Sequence, residues 1–150
     1  MYILYHGTCY DGFGAAWAVR QAIQFREGPP DVYLPCVYGQ PMPEIPDGED
    51  VAILDFSYPE ETIRSLAKRS KTVTLLDHHK TAENDLRGLV ACPEPNMVVV
   101  FDMTHSGAYL TWKYYMTEEV PQLLLYIEDR DLWKKVLPCH EEVSAYIQSF

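Results

Sequence analysis

The sequence predicts an α/β domain with a mostly parallel, five-stranded sheet and helices on both faces of that sheet. Short apolar runs alternate along the chain with amphipathic stretches of helical period. Strands that are apolar along their whole length are typical of sheets buried on both faces, and such sheets are built from parallel strands joined by helices. The 150 residues are a common length for one domain, so residues 1–150 are predicted to form a single unit.

Five apolar runs bounded by polar or turn residues predict the strands. They are Tyr2–His6, Val32–Tyr38, Asp50–Phe56, Thr72–Leu76 and Met97–Phe101. In open parallel sheets, ligands bind just beyond the carboxyl ends of the strands. Polar residues stand at or near four of these ends, namely His6, Asp55, Asp77 and Asp102. The edge of the sheet at these strand ends is therefore the predicted functional site.

Helical spacing of apolar residues, together with start and stop signals, predicts the helices. They are Gly12–Glu27, Ser57–Arg69, Ser106–Met116, Pro121–Trp133 and a short one over Glu141–Ile147. The second has the fullest set of signals, because Ser57 and Glu60 match a capping box and the basic residues of its last turn suit the helix dipole.

The charge of the chain limits its partners. The formal net charge is -10, and such an acidic surface repels nucleic acid, so long nucleic acid is disfavoured and a phosphate substrate would need bound cations. The longest apolar runs have four or five residues, which is too short to cross a membrane. The four cysteines are widely spaced and the N-terminus lacks the pattern of a signal peptide, so a cytoplasmic location is expected.

Asp77, His78 and His79 are the first candidates for chemistry, because they follow a strand directly. Imidazole and carboxylate together suit a first-row divalent metal. Asp77 and His78 are candidate ligands, Asp77 is also a candidate bridge between two ions, and His79 is left for a substrate phosphate or a proton. The alternative interpretation of this triplet is a plain polar turn.

Three further acidic positions have both a structural and a functional interpretation. Asp55 and Asp11 each precede or begin a helix, so each is either a helix cap or a metal ligand. The run Glu128–Asp131 ends an apolar helical stretch, where acids oppose the dipole; it is either a metal-binding segment or a solvated charge cluster. Carboxylates that meet at one edge repel each other, and one or two divalent cations would relieve that repulsion.

At these residues the chain resembles the DHH phosphoesterase superfamily, which is named for its Asp-His-His motif. The resemblance extends from His6 to Trp133 and comprises four motifs in order. The matching segments are His6–Gly12, Asp55, Asp77–His79, and Asp129 with Asp131 as the competing choice. The segment Thr104–Ala108 resembles the small-residue helix start that follows the fifth strand in this superfamily.

The resemblance implies an enzyme that hydrolyses a phosphoester or phosphoanhydride bond, in a nucleotide or short oligonucleotide, with water activated by two metal ions. The implied cofactor is Mn²⁺, with Mg²⁺ or another divalent metal as the alternative. The implied metal ligands are His6, Asp11, Asp55, Asp77, His78 and Asp129. The implied catalytic residues are Asp77 and His79, and the implied substrate contacts are His79, Arg130 and Ser106.

The chain departs from the pattern of the superfamily in two ways. Cys9 stands where many members have the first acid of the first motif, so one metal position is weakened or Cys9 is itself a ligand. The smaller C-terminal lobe of most members has no counterpart in residues 1–150, so the chain is a naturally short member, a part of a longer protein, or a domain whose site a second copy or another partner completes. The alternative function is therefore a metal- or nucleotide-binding module with little catalysis.

Overall fold

The structure, a computed structural model, describes residues 1–149. Its five strands form one sheet in the order β2-β1-β3-β4-β5, and every neighbouring pair is parallel. The strands are β1 Tyr2–His6, β2 Val32–Cys36, β3 Asp50–Leu54, β4 Thr72–Asp77 and β5 Met97–Phe101. The predicted α/β class and five-stranded sheet are confirmed, and the sheet is wholly parallel.

The strand order positions the site. After β1 the chain adds β2 on one side, and it then crosses to add β3, β4 and β5 on the other side. The order therefore reverses between β1 and β3, and in open α/β sheets ligands bind in the crevice at such a switch point. His6 ends β1 and Asp55 directly follows β3, so both residues lie at this crevice.

Seven helices occur among residues 1–149. They are α1 Tyr10–Ile23, α2 Glu60–Arg69, α3 Lys80–Asp85, α4 Arg87–Ala91, α5 Gly107–Tyr115, α6 Gln122–Asp131 and α7 His140–Ile147. The five predicted helices are present, with ends that differ from the prediction by at most four residues. Both α3 and α4 were missed, because segments this short carry little periodic signal.

Both faces of the sheet are covered by helices. One face packs against α2 and α4 through buried residues such as Ile63, Leu66 and Leu89. The opposite face packs against α1 through Ala15 and Val19. A third cluster joins α1, α5 and α6 beside the sheet, around Ala18, Ala108, Trp112, Leu124 and Ile127.

The predicted capping box at the start of α2 is wrong. The helix begins at Glu60 after Pro59, and no side chain caps its first turn. Glu60 instead pairs with Arg64 one turn further on, at 2.8 Å. Pro59 occupies the cap position with φ −54° and ψ 146°, and its side chain has no oxygen that could accept a hydrogen bond from the first turn.

No helix within residues 1–149 is both long enough and apolar enough to cross a membrane.

Candidate metal centre

Asp55 lies at the centre of the site and has an unusual backbone conformation. Its φ angle is +62°, in the left-handed region that side chains other than glycine seldom adopt. Its N–H continues the sheet ladder by donating to the Leu76 carbonyl at 2.9 Å. Backbone strain of this kind persists only where the surrounding structure imposes it, and it is concentrated at functional sites.

A glycine at the start of α5 makes room for Asp55. A Cβ atom added at Gly107 would lie 2.6 Å from the Asp55 Cβ and 2.7 Å from its Oδ1. Contacts this short do not occur between real side chains, so no larger residue fits here without movement of Asp55. This steric requirement explains the small residue in the segment Thr104–Ala108.

Asp11 joins the start of α1 to the start of α5. Its two carboxylate oxygens accept hydrogen bonds from the N–H groups of Gly107 at 2.6 Å and Ala108 at 2.9 Å. These are unpaired donors of the first turn of α5, where a negative charge is also favoured by the helix dipole. Cys9, and not Asp11, caps α1, because its Sγ accepts from the Gly12 N–H at 3.2 Å. Asp11 is therefore held by the start of α5 and is not the cap of its own helix.

Asp77 holds His79 in place. The Asp77 Oδ1 lies 2.6 Å from His79 Nδ1 and also accepts from the His78 N–H at 2.8 Å. Asp77 is fully buried, and its other oxygen, Oδ2, has no hydrogen-bond partner within residues 1–149. A buried carboxylate oxygen is normally satisfied, so an unpaired one is suited to a cation.

His78 contacts carboxylates from three different elements. Its Nε2 lies 3.1 Å from Asp55 Oδ1, 3.5 Å from Asp11 Oδ2 and 3.5 Å from Asp131 Oδ2. These residues follow β3, begin α1 and end α6. The parallel sheet thus brings together side chains that are far apart in the sequence.

Three groups of potential metal ligands occur in residues 1–149, and in each group the ligand atoms all lie within 4.8 Å of one another. The groups are His6 with Cys9 and Asp55, Asp55 with His78 and His79, and Asp11 with His78 and Asp131. Asp55 belongs to two of them, and so does His78. The geometry therefore favours Asp55 as the shared carboxylate, whereas the sequence pointed first to Asp77.

The electrostatics of the site indicate a shortage of positive charge. Burial raises the pKa of Asp11 well above its ordinary value, and the negative charges of Asp55 and Asp131 raise it further. Burial also raises the pKa of Asp55, but hydrogen bonds from His6 and His78 outweigh it and hold that pKa below the usual range. Buried carboxylates this close to one another are stabilised by a bound cation.

Nearby carboxylates also change the pKa values of His78 and His79. Burial by itself lowers the pKa of His78, but the hydrogen bond with Asp55 and the charge of Asp11 outweigh burial and raise it to about 9. The hydrogen bond that the His79 Nδ1–H donates to Asp77 raises the pKa of His79. The neighbouring carboxylates thus favour the protonated form of both imidazoles in the metal-free protein.

These residues fit a divalent first-row metal. Imidazole nitrogens and carboxylate oxygens are suitable ligands, and the unpaired Asp77 Oδ2 provides one more donor. Four of the predicted ligands belong to the three groups, namely His6, Asp11, Asp55 and His78. A fifth, Asp77, contacts the group member His79 through a hydrogen bond.

Of the two acids that compete at the end of α6, Asp131 reaches the cluster and Asp129 does not. Asp129 is buried; its Oδ1 accepts from the Val136 N–H at 2.9 Å and its Oδ2 lies 2.5 Å from His140 Nδ1. It belongs to none of the ligand groups formed by residues 1–149. The choice of Asp129 as a ligand is therefore replaced by Asp131, since the direction of the helix face decides which carboxylate meets His78.

Two other predicted positions have supporting roles. Ser106 is fully buried, and its Oγ caps α5 by accepting from the Tyr109 N–H at 3.3 Å, so it supports the site and does not face a substrate. Asp102 stabilises a turn by accepting from the N–H and hydroxyl of Thr104 at 2.8 and 2.6 Å. Both corrections arise because short polar side chains bond readily to nearby backbone.

Arg130 brings positive charge beside the cluster. It lines a cavity of about 210 Å³ together with Cys9, Asp11 and Asp131. Its guanidinium carbon lies 5.7 Å from the centre of the Tyr10 ring, a cation–π arrangement that fixes its position. Arg130 therefore lies next to Asp11 and Asp131 of the cluster.

Tyr38 and His140 were not identified from the sequence. The Tyr38 ring lies 5.4 Å from that of His6 and 6.0 Å from that of His79, so it packs against two histidines of the site. His140 lies against Asp129 at the start of α7. Neither residue belongs to a motif. The one signal in the sequence was that Tyr38 is the last residue of the second predicted strand.

The chain is similar in sequence to a viral protein. No family model matches the chain. The chain is 32% identical to an uncharacterized protein of Acanthamoeba polyphaga mimivirus, with 96% of this chain and 36% of that protein covered. It therefore spans about a third of the length of that relative.

A solved structure is similar as well. The crystal structure of an uncharacterized protein from Helicobacter pylori matches 90% of this chain and 43% of that chain, with a TM-score of 0.61 and 12% sequence identity. Similarity at this level of identity applies to the fold alone. The α/β architecture described above is therefore one that an experimentally determined protein shares.

Proposed function

We propose that this chain is a metal-dependent phosphoesterase domain of DHH type, which hydrolyses a phosphoester or phosphoanhydride bond in a nucleotide or short oligonucleotide. The observation that carries this proposal is the overlap of three ligand groups through Asp55 and His78. Groups that share ligands are suited to two adjacent cations, and Mn²⁺ is the proposed metal, with Mg²⁺ as the alternative.

The chemistry that bound metal ions supply is the activation of water at neutral pH and the neutralisation of charge on the phosphoryl oxygens. Asp55 and His78 hold the centre of the cluster, with His6, Asp11 and Asp131 around them. Asp77 adds its unpaired Oδ2. Because four of these residues are carboxylates, the metal-free cluster would repel a phosphate.

In the proposed reaction, two side chains of the protein bind the phosphate directly. Asp77 engages Nδ1 of His79, which leaves His79 Nε2 for a substrate oxygen and fixes the orientation of the ring. Arg130 lines the small cavity next to Cys9 and Asp11, where its planar donors suit a phosphate. Each of these two groups would donate hydrogen bonds to oxygens whose negative charge grows in the transition state.

The substrate class follows from charge. The net charge of -10 disfavours a long polyanion, whereas a mononucleotide or short oligonucleotide presents few phosphates to repel. A cytoplasmic location, where such molecules occur, belongs to the same proposal.

Substitution of two acidic residues that follow strands, one in the cluster and one outside it, tests the proposal. The protein is stripped with EDTA, reloaded with MnCl₂ and assayed with bis-p-nitrophenyl phosphate and with a dinucleotide. Asp55→Asn is expected to lower turnover about 100-fold or more, since even loss of a partner of a metal ligand lowers activity about 10–100-fold. Asp102→Asn is the control and should retain turnover, because the hydrogen bonds that its carboxylate accepts come from Thr104 in its own turn.

The second candidate function is a metal- or nucleotide-binding module with little catalysis. It is favoured by Cys9, which stands within the ligand groups at the place where an acid is expected. Binding of Mn²⁺ that Asp55→Asn abolishes, without turnover of either substrate, would support the module. Turnover equal in the chelated and the manganese-loaded protein would contradict both functions.

A further inference from the structure

Of the three ligand groups, the one formed by Asp55, His78 and His79 shares a residue with each of the other two. Those other two groups differ in chemistry, because only one of them contains sulfur. The first group consists of His6 Nδ1, Cys9 Sγ and Asp55 Oδ2, and the second of Asp11, His78 and Asp131. Thiolate ligands select softer ions such as Zn²⁺, whereas carboxylate-rich groups suit Mn²⁺ and Mg²⁺.

We infer that Cys9 is a metal ligand, and that the His6–Cys9–Asp55 position binds a thiophilic divalent ion of the Zn²⁺ type while the Asp11–His78–Asp131 position binds a harder ion such as Mn²⁺. This inference deepens the proposed function and rests on its metal centre. It names the metal selectivity of each position.

The contacts of Cys9 support its role. Its Sγ lies 3.0 Å from Asp55 Oδ2 and 3.3 Å from His6 Nδ1, and these two atoms are 3.5 Å apart. Three different donor types thus converge within the reach of a single ion. Thr8 engages the other nitrogen of His6, with Oγ1 3.2 Å from Nε2, which leaves Nδ1 facing the sulfur.

A second observation is independent of the cysteine. Asp77 is fully buried at the end of the neighbouring strand β4, and its Oδ2 has no hydrogen-bond partner among residues 1–149. Burial of a carboxylate oxygen without a partner is unfavourable unless a cation compensates it. The need for a cation at these strand ends therefore does not depend on Cys9 alone.

Metal binding at Cys9 involves one proton. In the metal-free protein the Cys9 thiol donates a hydrogen bond to Asp55 Oδ2. When the ion binds, the S–H bond breaks, a sulfur–metal bond forms and the proton passes to solvent. No change of oxidation state occurs, so no oxidant or reductant is required.

The structural role of Cys9 as the cap of α1 can be separated from metal binding. The Gly12 N–H donates to Cys9 Sγ, and a serine hydroxyl can accept the same hydrogen bond. Cys9→Ser therefore preserves the cap and removes the thiolate. Cys9→Asp also preserves a cap and converts the first group into a carboxylate-rich one.

Cobalt binding tests the inference without any need for turnover. The full chain is stripped with EDTA and titrated with Co²⁺, a spectroscopic substitute for Zn²⁺ whose bond to a thiolate gives a charge-transfer band in the near ultraviolet. The unmodified protein is expected to show this band, and Cys9→Ser and Cys9→Asp are expected to lack it. Cys92→Ser, which changes an exposed cysteine, is the control and should keep the band.

Metal competition gives the second readout. Affinities are measured with a chromogenic chelator as competitor. Cys9→Ser is expected to bind Zn²⁺ at least about tenfold more weakly than the unmodified protein. For Cys9→Asp, the ratio of Mn²⁺ affinity to Zn²⁺ affinity is expected to be higher than in the unmodified protein. Cobalt binding of equal strength in the unmodified protein and Cys9→Ser, with no charge-transfer band, would overturn the inference and leave the proposed function intact. Failure of the unmodified protein to bind Co²⁺, Zn²⁺ or Mn²⁺ would overturn both.

Discussion

The backbone N–H of Gly107 donates a hydrogen bond of 2.6 Å to the Asp11 carboxylate, and these residues are 96 positions apart in the chain. The same glycine lies so close to Asp55 that an added Cβ would be 2.6 Å from the Asp55 Cβ. One residue at the start of α5 thus positions two carboxylates of the cluster, one through a hydrogen bond and the other through close packing.

Gly107→Ala should therefore disturb the metal centre. The new methyl group must displace Asp55 or the start of α5, and overpacking of this kind costs about 1–3 kcal/mol of stability. We expect weaker Mn²⁺ binding as well, measured by calorimetric titration. Gly88→Ala is the matched control: its Cβ would meet the Glu60 carboxylate, which belongs to none of the ligand groups of residues 1–149, so this variant should keep its metal affinity. Unchanged metal affinity in Gly107→Ala would contradict this prediction.

The two acids at the end of α6 should respond differently to removal. Asp131→Ala is expected to weaken metal binding about tenfold or more, because its carboxylate faces His78. Asp129→Ala is expected to lower the free energy of unfolding by about 1–3 kcal/mol, because it leaves His140 and the Val136 N–H without their partner. Metal titration and urea unfolding of both variants check this. The reverse pattern would restore Asp129 as the ligand.

The stability of the metal-free protein should depend on the ionisation of His78. The pKa of His78 is raised from 6.5 to about 9 in the folded protein, so the protonated form is the one that folding favours. Its contribution to the free energy of unfolding is complete below about pH 6.5 and is lost as the pH rises through about 9. Urea unfolding in EDTA between these pH values should show the decline, and His78→Gln should show less of it. Equal pH dependence in the two proteins would contradict the assignment.

The short helix α4 should contribute to stability independently of the site. Leu89 is fully buried against the sheet, whereas its neighbour Val90 is 42% exposed. Leu89→Ala is expected to lower the free energy of unfolding by about 2–5 kcal/mol, as cavities in packed cores do. Val90→Ala should change it by less than about 0.5 kcal/mol. Thermal or urea unfolding distinguishes the two, and similar losses in both variants would show that α4 does not pack as described.

The sequence was sufficient to predict the sheet and the edge at which the site lies. Wholly apolar runs such as Val51–Leu54 and Met97–Phe101 indicate strands buried on both faces, and parallel strands place their carboxyl ends together. His6, Asp55 and Asp77 could be assigned to that edge because each stands at a strand end. The short helices α3 and α4, and the uncapped start of α2, could not be predicted, because packing and not a local pattern determines them.

Which side chains meet was decided only by the tertiary structure. Asp129 and Asp131 are two positions apart, about 200° around a helix, so only the packing of α6 determines which of them faces His78. The central place of Asp55 depends on its positive φ angle, and the contact of Cys9 with Asp55 depends on the alignment of β1 with β3. Sequence alone thus determined the kinds of ligand and the edge they share, because strand ends follow from local hydrophobic patterns. The grouping of those ligands depends on distances between elements, and only the folded chain sets these distances.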